Sequence, residues 1–124
     1  MAYFERMSGA KVKDCIMGDK VTFVIEDGYM GRAIGKNGVN IKKLESKLKK
    51  RVKLVEYSSD VRQFVRNLVH PIDVNDVREE NSIVTISAKD TTSRAMIIGR
   101  EKSNLMQIKD ILSRYFNLKD LKVA

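Results

Sequence analysis

The sequence predicts an α+β protein built from two copies of one small unit, each a three-stranded sheet packed against helices. Apolar residues recur at helical spacing in several segments, and short strand-like runs separate these segments. The order helix, two strands, helix, turn, helix and strand occurs twice. An offset of 64 residues also aligns residues 34–41 with residues 98–105 by pattern, although few residues are identical. A chain of 124 residues has room for two such units.

The first copy shows the clearest local signals. Gly9 suits the left-handed position after a helix, and Gly18-Asp19 suits a two-residue hairpin turn. Ile41, Leu44 and Leu48 are spaced to form one apolar stripe on a lysine-rich helix. The predicted elements are a helix over residues 2–8, strands over 12–17 and 21–25, a helix over 29–34, the lysine-rich helix through 41–48 and a strand over 52–57.

A boundary between the copies is predicted at Ser58-Ser59-Asp60, which has the composition of a helix N-cap. The two units are therefore residues 1–58 and 59–124. A stripe formed by Val61, Phe64, Val65 and Leu68 follows and is ended by Pro71. The predicted elements of the second copy are a helix over 61–68, strands over 72–78 and 83–88 around a turn at residues 80–81, helices over 92–98 and 103–116, and a strand over 121–123.

The charge of the chain indicates a polyanionic partner. Lys and Arg number 24 against 16 Asp and Glu, so the net charge is +8, and nucleic acid or an acidic membrane surface would fit it. Nine basic residues lie between Arg32 and Lys53, where Glu45 is the only acid. The longest aliphatic stretch is far too short to span a membrane and no signal peptide is recognised, so no transmembrane segment is predicted. Of the two polyanions, we expect nucleic acid and no membrane partner.

The sequence offers no catalytic or metal-binding constellation. One cysteine, Cys15, and one histidine, His70, supply neither a disulfide nor a zinc site, which suits a reducing cytoplasm. A nucleotide-binding P-loop fails because only three residues separate Gly31 from Gly35-Lys36, and Asn37 stands where Ser or Thr is needed. The adjacent carboxylates at residues 26–27 and 79–80 fit solvated turns. We therefore predict a protein that is not an enzyme and needs no cofactor.

The run Gly35-Lys36-Asn37-Gly38, here called the first glycine loop, lies between two predicted helices. Glycine lets a phosphate approach closely, and the following helix directs partial positive charge at it. Lys36 adds a full charge, while apolar side chains nearby would receive bases. The residues predicted to contact a nucleic acid are Ile34, Gly35, Lys36, Asn37, Gly38, Ile41, Lys42, Arg51 and Lys53, with Gly99, Arg100 and Lys102 in the second copy.

Gly-x-x-Gly in this setting resembles the loop with which KH domains clamp a nucleic-acid backbone. Residues 21–57 resemble a type II KH domain, and the whole chain resembles the archaeal NusA family of tandem-KH proteins. The more specific part is Val55-Glu56-Tyr57-Ser58 leading into Phe64-Val65-Arg66-Asn67-Leu68 and Pro71, which resembles the junction between the two KH domains of that family.

This resemblance implies two tandem type II KH domains, residues 1–58 and 59–124, that bind single-stranded RNA in transcription termination or elongation. It implies a cytoplasmic protein that binds RNA and also RNA polymerase or other transcription proteins. It also implies that this protein lacks the polymerase-binding and S1 regions of the longer bacterial form. The second loop, Gly99-Arg100-Glu101-Lys102, departs from the glycine pattern. We therefore expect the first loop to bind phosphate more strongly.

Two other functions fit the same residues. A structural ribonucleoprotein or ribosome-associated component would use the basic surface to bind folded RNA by shape and charge. An RNA-processing accessory would bring RNA to a separate enzyme. Binding of short oligonucleotides separates the first alternative from a single-strand binder, and copurification of an enzyme would identify the second.

Overall fold

A computed structural model describes residues 2–18 and 20–124, which form two compact units, one ending at Ser58 and one spanning Ser59–Ala124. The elements of the first unit are α1 (Ala2–Ser8), β1 (Val12–Ile16), β2 (Val21–Ile25), α2 (Met30–Ile34), α3 (Val39–Leu48) and β3 (Val52–Glu56), with a 3-10 turn at Lys36–Gly38 between α2 and α3. Gly9 follows α1 with a positive φ of 74°, as its position after a helix requires.

The second unit has the same order of elements. They are α4 (Val61–Val69), β4 (Val74–Glu80), β5 (Ile83–Ala88), α5 (Thr91–Ile98), α6 (Ser103–Tyr115) and β6 (Asp120–Val123), with a 3-10 turn at Arg100–Lys102 between α5 and α6. The Asp60 carboxylate accepts a hydrogen bond from the backbone N–H of Arg62 and so caps α4. That bond lowers the pKa of Asp60.

Each unit contains one three-stranded sheet, which confirms the predicted α+β class. In the first sheet β1 pairs antiparallel with β2, and β3 pairs parallel with β2. The second sheet repeats this pattern with β4, β5 and β6. A parallel neighbour requires a crossover, and the helix pair α2–α3 or α5–α6 provides it. The topology therefore places each loop between the two crossover helices.

Each unit has an apolar core. In the first, Phe4 packs edge-on against Phe23, with ring centroids 5.1 Å apart. In the second, Phe64 is fully buried and its ring lies 6.0 Å from that of Tyr115 and 6.1 Å from that of Phe116. The buried residues of α4 are Phe64, Val65, Leu68 and Val69. The stripe predicted for this helix is thus part of the folded unit.

Three local predictions need revision or fall outside the described residues. The strand predicted over 72–78 is β4 at Val74–Glu80, and the turn after it lies at Asn81-Ser82, both with positive φ. Leu48, the last residue of α3, is 38% exposed, so the predicted apolar stripe is fully buried only at Leu44. The Gly18-Asp19 hairpin turn cannot be compared, since Asp19 lies outside the described residues.

No helix within residues 2–18 and 20–124 is long and apolar enough to cross a membrane. The same residues hold no group of three or more His, Cys, Asp or Glu side chains able to bind a metal ion. Cys15 is half-buried against the core of the first unit, and burial raises the pKa of its thiol.

Candidate nucleic-acid interface

The two glycines of the first glycine loop have different structural roles. Gly35 has φ 75° and ψ 169°, a conformation that essentially only glycine adopts. A Cβ at Gly35 would lie 2.8 Å from both Cγ and Nδ2 of Asn40, whereas a Cβ at Gly38 would have nothing within 4 Å. Gly35 is therefore required by the loop itself, while Gly38 leaves open space in front of α3.

Asn40 ties together the helices on either side of the loop. Its Nδ2 donates a 2.7 Å hydrogen bond to the backbone carbonyl of Arg32 in the last turn of α2. Such carbonyls lack an intrahelical partner, so the bond stabilises the end of the helix. Sequence reasoning missed this residue, although the 64-residue offset aligns it with an identical residue, Asn104.

The second loop, residues 99–102, has the same backbone conformation as the first. Gly99 has φ 75° and ψ 175°, and a Cβ there would lie 2.7 Å from Cβ of Asn104. Asn104 Nδ2 donates to the carbonyl of Ile97 at 2.9 Å and to that of Met96, the equivalent of Arg32, at 3.4 Å, so it also joins the two helices beside its loop. Glu101 and Lys102 adopt left-handed conformations with φ 54° and 63°, where the first loop has Asn37 and Gly38 at 57° and 73°. The two loops thus differ in side chains rather than in backbone path.

The backbone N–H groups at the head of α3 are less available than the sequence suggested. Gly38 N–H donates to the carbonyl of Gly35 at 3.1 Å, and Val39 N–H donates to the carbonyl of Lys36. Attraction of a phosphate to this point therefore depends on the dipole of α3, on the open space at Gly38 and on the exposed side chains of Lys36 and Asn37.

Apolar side chains are accessible near the loop. Ile34 and Ile41, which flank it in α2 and α3, are both half-buried, as are Val52 and Leu54 in β3. Val52 and Leu54 pack against the core that lies beneath the helices. Partly exposed apolar groups of this kind offer contact area to bases.

Lys53 lies on the other face of the sheet. Side chains alternate along a strand, so Lys53 points away from the face on which Val52 and Leu54 pack. Burial is the main cause of a lowered pKa at Lys53, and the nearby positive charge of Lys20 lowers that pKa further. Arg51, just before β3, is exposed, as is Lys42 on α3. The structure therefore leaves Lys42 exposed on the helix that follows the loop and separates Lys53 from the apolar groups.

The two units differ in how their basic side chains are neutralised. Within the part of the chain that the structure describes, no basic residue from Arg32 to Arg51 forms an ion pair. The second unit, by contrast, contains the ion pairs Arg62–Asp60, Arg66–Asp76, Arg78–Asp76, Lys109–Asp120 and Arg114–Asp110. Residues 39–51 carry six basic residues and one acid, whereas the equivalent residues 103–115 carry two and one. The segment of α3 and the residues just after it thus carries unpaired positive charge, whereas both basic residues of α6, Lys109 and Arg114, are paired.

Comparison with known proteins gives the class and then the particular family. The KH domain family matches residues 1–81, which is more than half of the chain. Proteins named probable transcription termination protein NusA are similar to the chain throughout. That of Methanococcus vannielii is 37% identical over 100% of this chain and 74% of its own length. That of Halococcus morrhuae is 32% identical over 100% of this chain and 91% of its own length.

A solved structure shares the same architecture. The crystal structure of APE1850 matches with a TM-score of 0.75 and 29% identity, covering 99% of this chain and 94% of that chain. The chain therefore belongs to the KH domain family and, within it, to the archaeal-type NusA family. The resemblance noted from the sequence is confirmed.

Proposed function

We propose that this protein is an RNA-binding transcription termination or elongation factor that holds single-stranded RNA at the first glycine loop. The observation that carries the proposal is the open space at Gly38, at the head of α3, within a basic surface that has no ion pairs among the described residues. The names of the NusA relatives support the role in transcription, and the KH domain match supports RNA as the ligand.

In this mechanism the RNA backbone passes over Gly38. A phosphate approaches the N-terminal end of α3, where the helix dipole and the Lys36 ammonium favour negative charge. The Asn37 side chain can donate a further hydrogen bond. Bases then lie against Ile34, Ile41 and the edge of β3. Lys42 and Arg51 attract the phosphates of the RNA strand electrostatically. No step makes or breaks a covalent bond, so the protein acts by binding rather than catalysis.

Each unit is proposed to be a type II KH domain, with the first formed by residues 1–58 and the second by residues 59–124. Support comes from the identical order of elements, the identical strand pairing and the matching loop backbones. RNA polymerase or another transcription protein is the proposed macromolecular partner besides RNA. The second loop contributes less to RNA binding because Glu101 and Lys102 stand where the first loop has Asn37 and Gly38.

The test exploits the free space at Gly38. Gly38→Asp should weaken binding of a short single-stranded RNA at least about tenfold, equivalent to about 1.4 kcal/mol, because the carboxylate repels phosphate. Gly38→Asn is the matched control, since it has nearly the same shape and tolerates the same left-handed backbone without the charge. Its loss of affinity should be smaller.

Two results would contradict the proposal. Unchanged affinity of Gly38→Asp, with an unchanged melting temperature, would remove the first glycine loop from the RNA site. Binding of folded RNA without measurable binding of short oligonucleotides would favour the structural ribonucleoprotein alternative.

A further inference from the structure

A cluster of cations around one aromatic ring lies beside the first glycine loop but outside it. The Arg32 guanidinium carbon is 5.4 Å from the centre of the Tyr29 ring, and Lys11 Nζ is 5.8 Å from the same point. Tyr29 is half-buried and packs against the core of the first unit, whereas Arg32 and Lys11 are exposed. The ring is thus a fixed support for two accessible positive charges.

We propose that Arg32 and Lys11, supported by Tyr29, form a second phosphate-binding position for the RNA backbone. This inference rests on the proposed function, because it extends the RNA contact beyond Gly38. A guanidinium that lies over an aromatic ring keeps its N–H edges free to bind a phosphate in a bidentate manner. Holding the side chain in place beforehand also reduces the entropy lost on binding.

The cations are available to an anion. Within the part of the chain that the structure describes, neither Arg32 nor Lys11 forms an ion pair with a carboxylate. By contrast Lys13, two residues further along, lies 3.6 Å from Glu26 and is neutralised. An exposed cation that lies over an aromatic ring and has no carboxylate partner is available to bind an anionic ligand.

The position of Arg32 relative to the loop is also fixed. Arg32 precedes Gly35 by three residues, about 4.5 Å along the axis of α2. Its backbone carbonyl accepts the hydrogen bond from Asn40, which lies just beyond the loop. A phosphate bound by Arg32 would therefore lie near a phosphate held at Gly38. The two could be neighbouring phosphates of one RNA strand.

The second unit provides an internal comparison. With the same 64-residue offset, Ser93 takes the place of Tyr29 and Met96 the place of Arg32. Asp73 precedes β4 where Lys11 precedes β1. Met96 is 51% exposed, so this position accepts a methionine without burying it. The cation cluster is thus absent from the unit whose loop also departs from the glycine pattern.

The experiment measures the affinity of the full chain for a short single-stranded RNA at several salt concentrations. Arg32→Met, which copies the second unit, should weaken binding about three- to tenfold and make the slope of log affinity against log salt shallower by about 0.7. Tyr29→Leu keeps an apolar side chain but removes the ring, and should give part of the same loss. Arg114→Met is the control, because it removes an equal charge that is paired with Asp110. It should change affinity less than twofold.

The outcomes separate this proposal from the one it rests on. If Gly38→Asp weakens binding while Arg32→Met leaves affinity and salt slope unchanged, the second position is wrong and the first glycine loop stands. If Arg32→Met and Arg114→Met cause equal losses, only net charge matters and the cluster is not a site. If the unmodified protein binds no RNA, the proposed function itself fails.

Discussion

Asn40 Nδ2 donates a 2.7 Å hydrogen bond to the backbone carbonyl of Arg32, and this bond joins the helix before the first glycine loop to the helix after it. The bond is possible only because residue 35 lacks a Cβ, which would lie 2.8 Å from the Asn40 amide. A similar arrangement occurs at Gly99 and Asn104, where the Asn104 amide donates to the carbonyls of Ile97 and Met96. The first glycine of each loop is therefore a requirement of the fold, and the second is where the two loops diverge.

This relationship predicts unequal effects for the two glycines of the first loop. Gly35→Ala should destabilise the protein by roughly 2 to 4 kcal/mol, because it combines a disfavoured backbone conformation with a collision against Asn40. Gly38→Ala should cost only about 1 kcal/mol, since its Cβ meets open space and only the left-handed conformation is unfavourable. Urea denaturation measures both variants. Equal losses would show that Asn40 moves aside easily.

Salt should weaken RNA binding steeply. About three to four phosphate contacts on a single strand predict a slope of log affinity against log salt of roughly -2 to -3. Lys42→Gln should make the slope shallower by about 0.7. Lys109→Gln is the matched control because that lysine is paired with Asp120 at 3.2 Å, and it should leave the slope unchanged. A flat salt dependence would indicate a protein partner in place of RNA.

Phe64 should contribute strongly to stability. Its side chain is fully buried beside the rings of Tyr115 and Phe116, so Phe64→Ala should cost roughly 3 to 5 kcal/mol. Met106→Ala removes an apolar side chain that is 65% exposed and should cost less than about 0.5 kcal/mol. Chemical denaturation followed by circular dichroism compares the two. A loss below about 1 kcal/mol for Phe64→Ala would show that α4 acts as a tether.

The second loop tests whether loop geometry or charge governs binding. Replacing Glu101-Lys102 by Asn-Gly removes one charge of each sign, so the net charge is unchanged. The backbone already has the conformation of the first loop, and glycine relieves the left-handed strain at Lys102. We expect RNA affinity to rise at fixed salt. The single variant Glu101→Asn is the control that retains Lys102.

Either of two results would contradict this ranking of the loops. A fall in affinity would mean that Lys102 already contacts RNA. An unchanged affinity would mean that the second loop does not meet RNA in either form.

The positions of most elements could be predicted because the signals are local. The stripe of Val61, Phe64, Val65 and Leu68 follows from helical periodicity, and α4 spans Val61–Val69. Gly9 and Asp60 mark helix ends through backbone conformation and capping, which depend on a few neighbouring residues. The strand at Val74–Glu80 was misplaced by two residues because the left-handed turn at Asn81-Ser82 carries no glycine to mark it.

The repeat, the glycine loop and the concentration of positive charge could all be predicted, since each is a property of residue type and spacing. Only the folded chain shows which of those charges remain unpaired, that Lys53 lies on the face away from Val52 and Leu54, and that Asn40 joins the helices on either side of the loop. It also showed that Glu101 and Lys102 follow the same backbone path as Asn37 and Gly38. These features depend on which side chains the folded chain brings within a few ångströms of each other, and spacing along a sequence does not specify that distance.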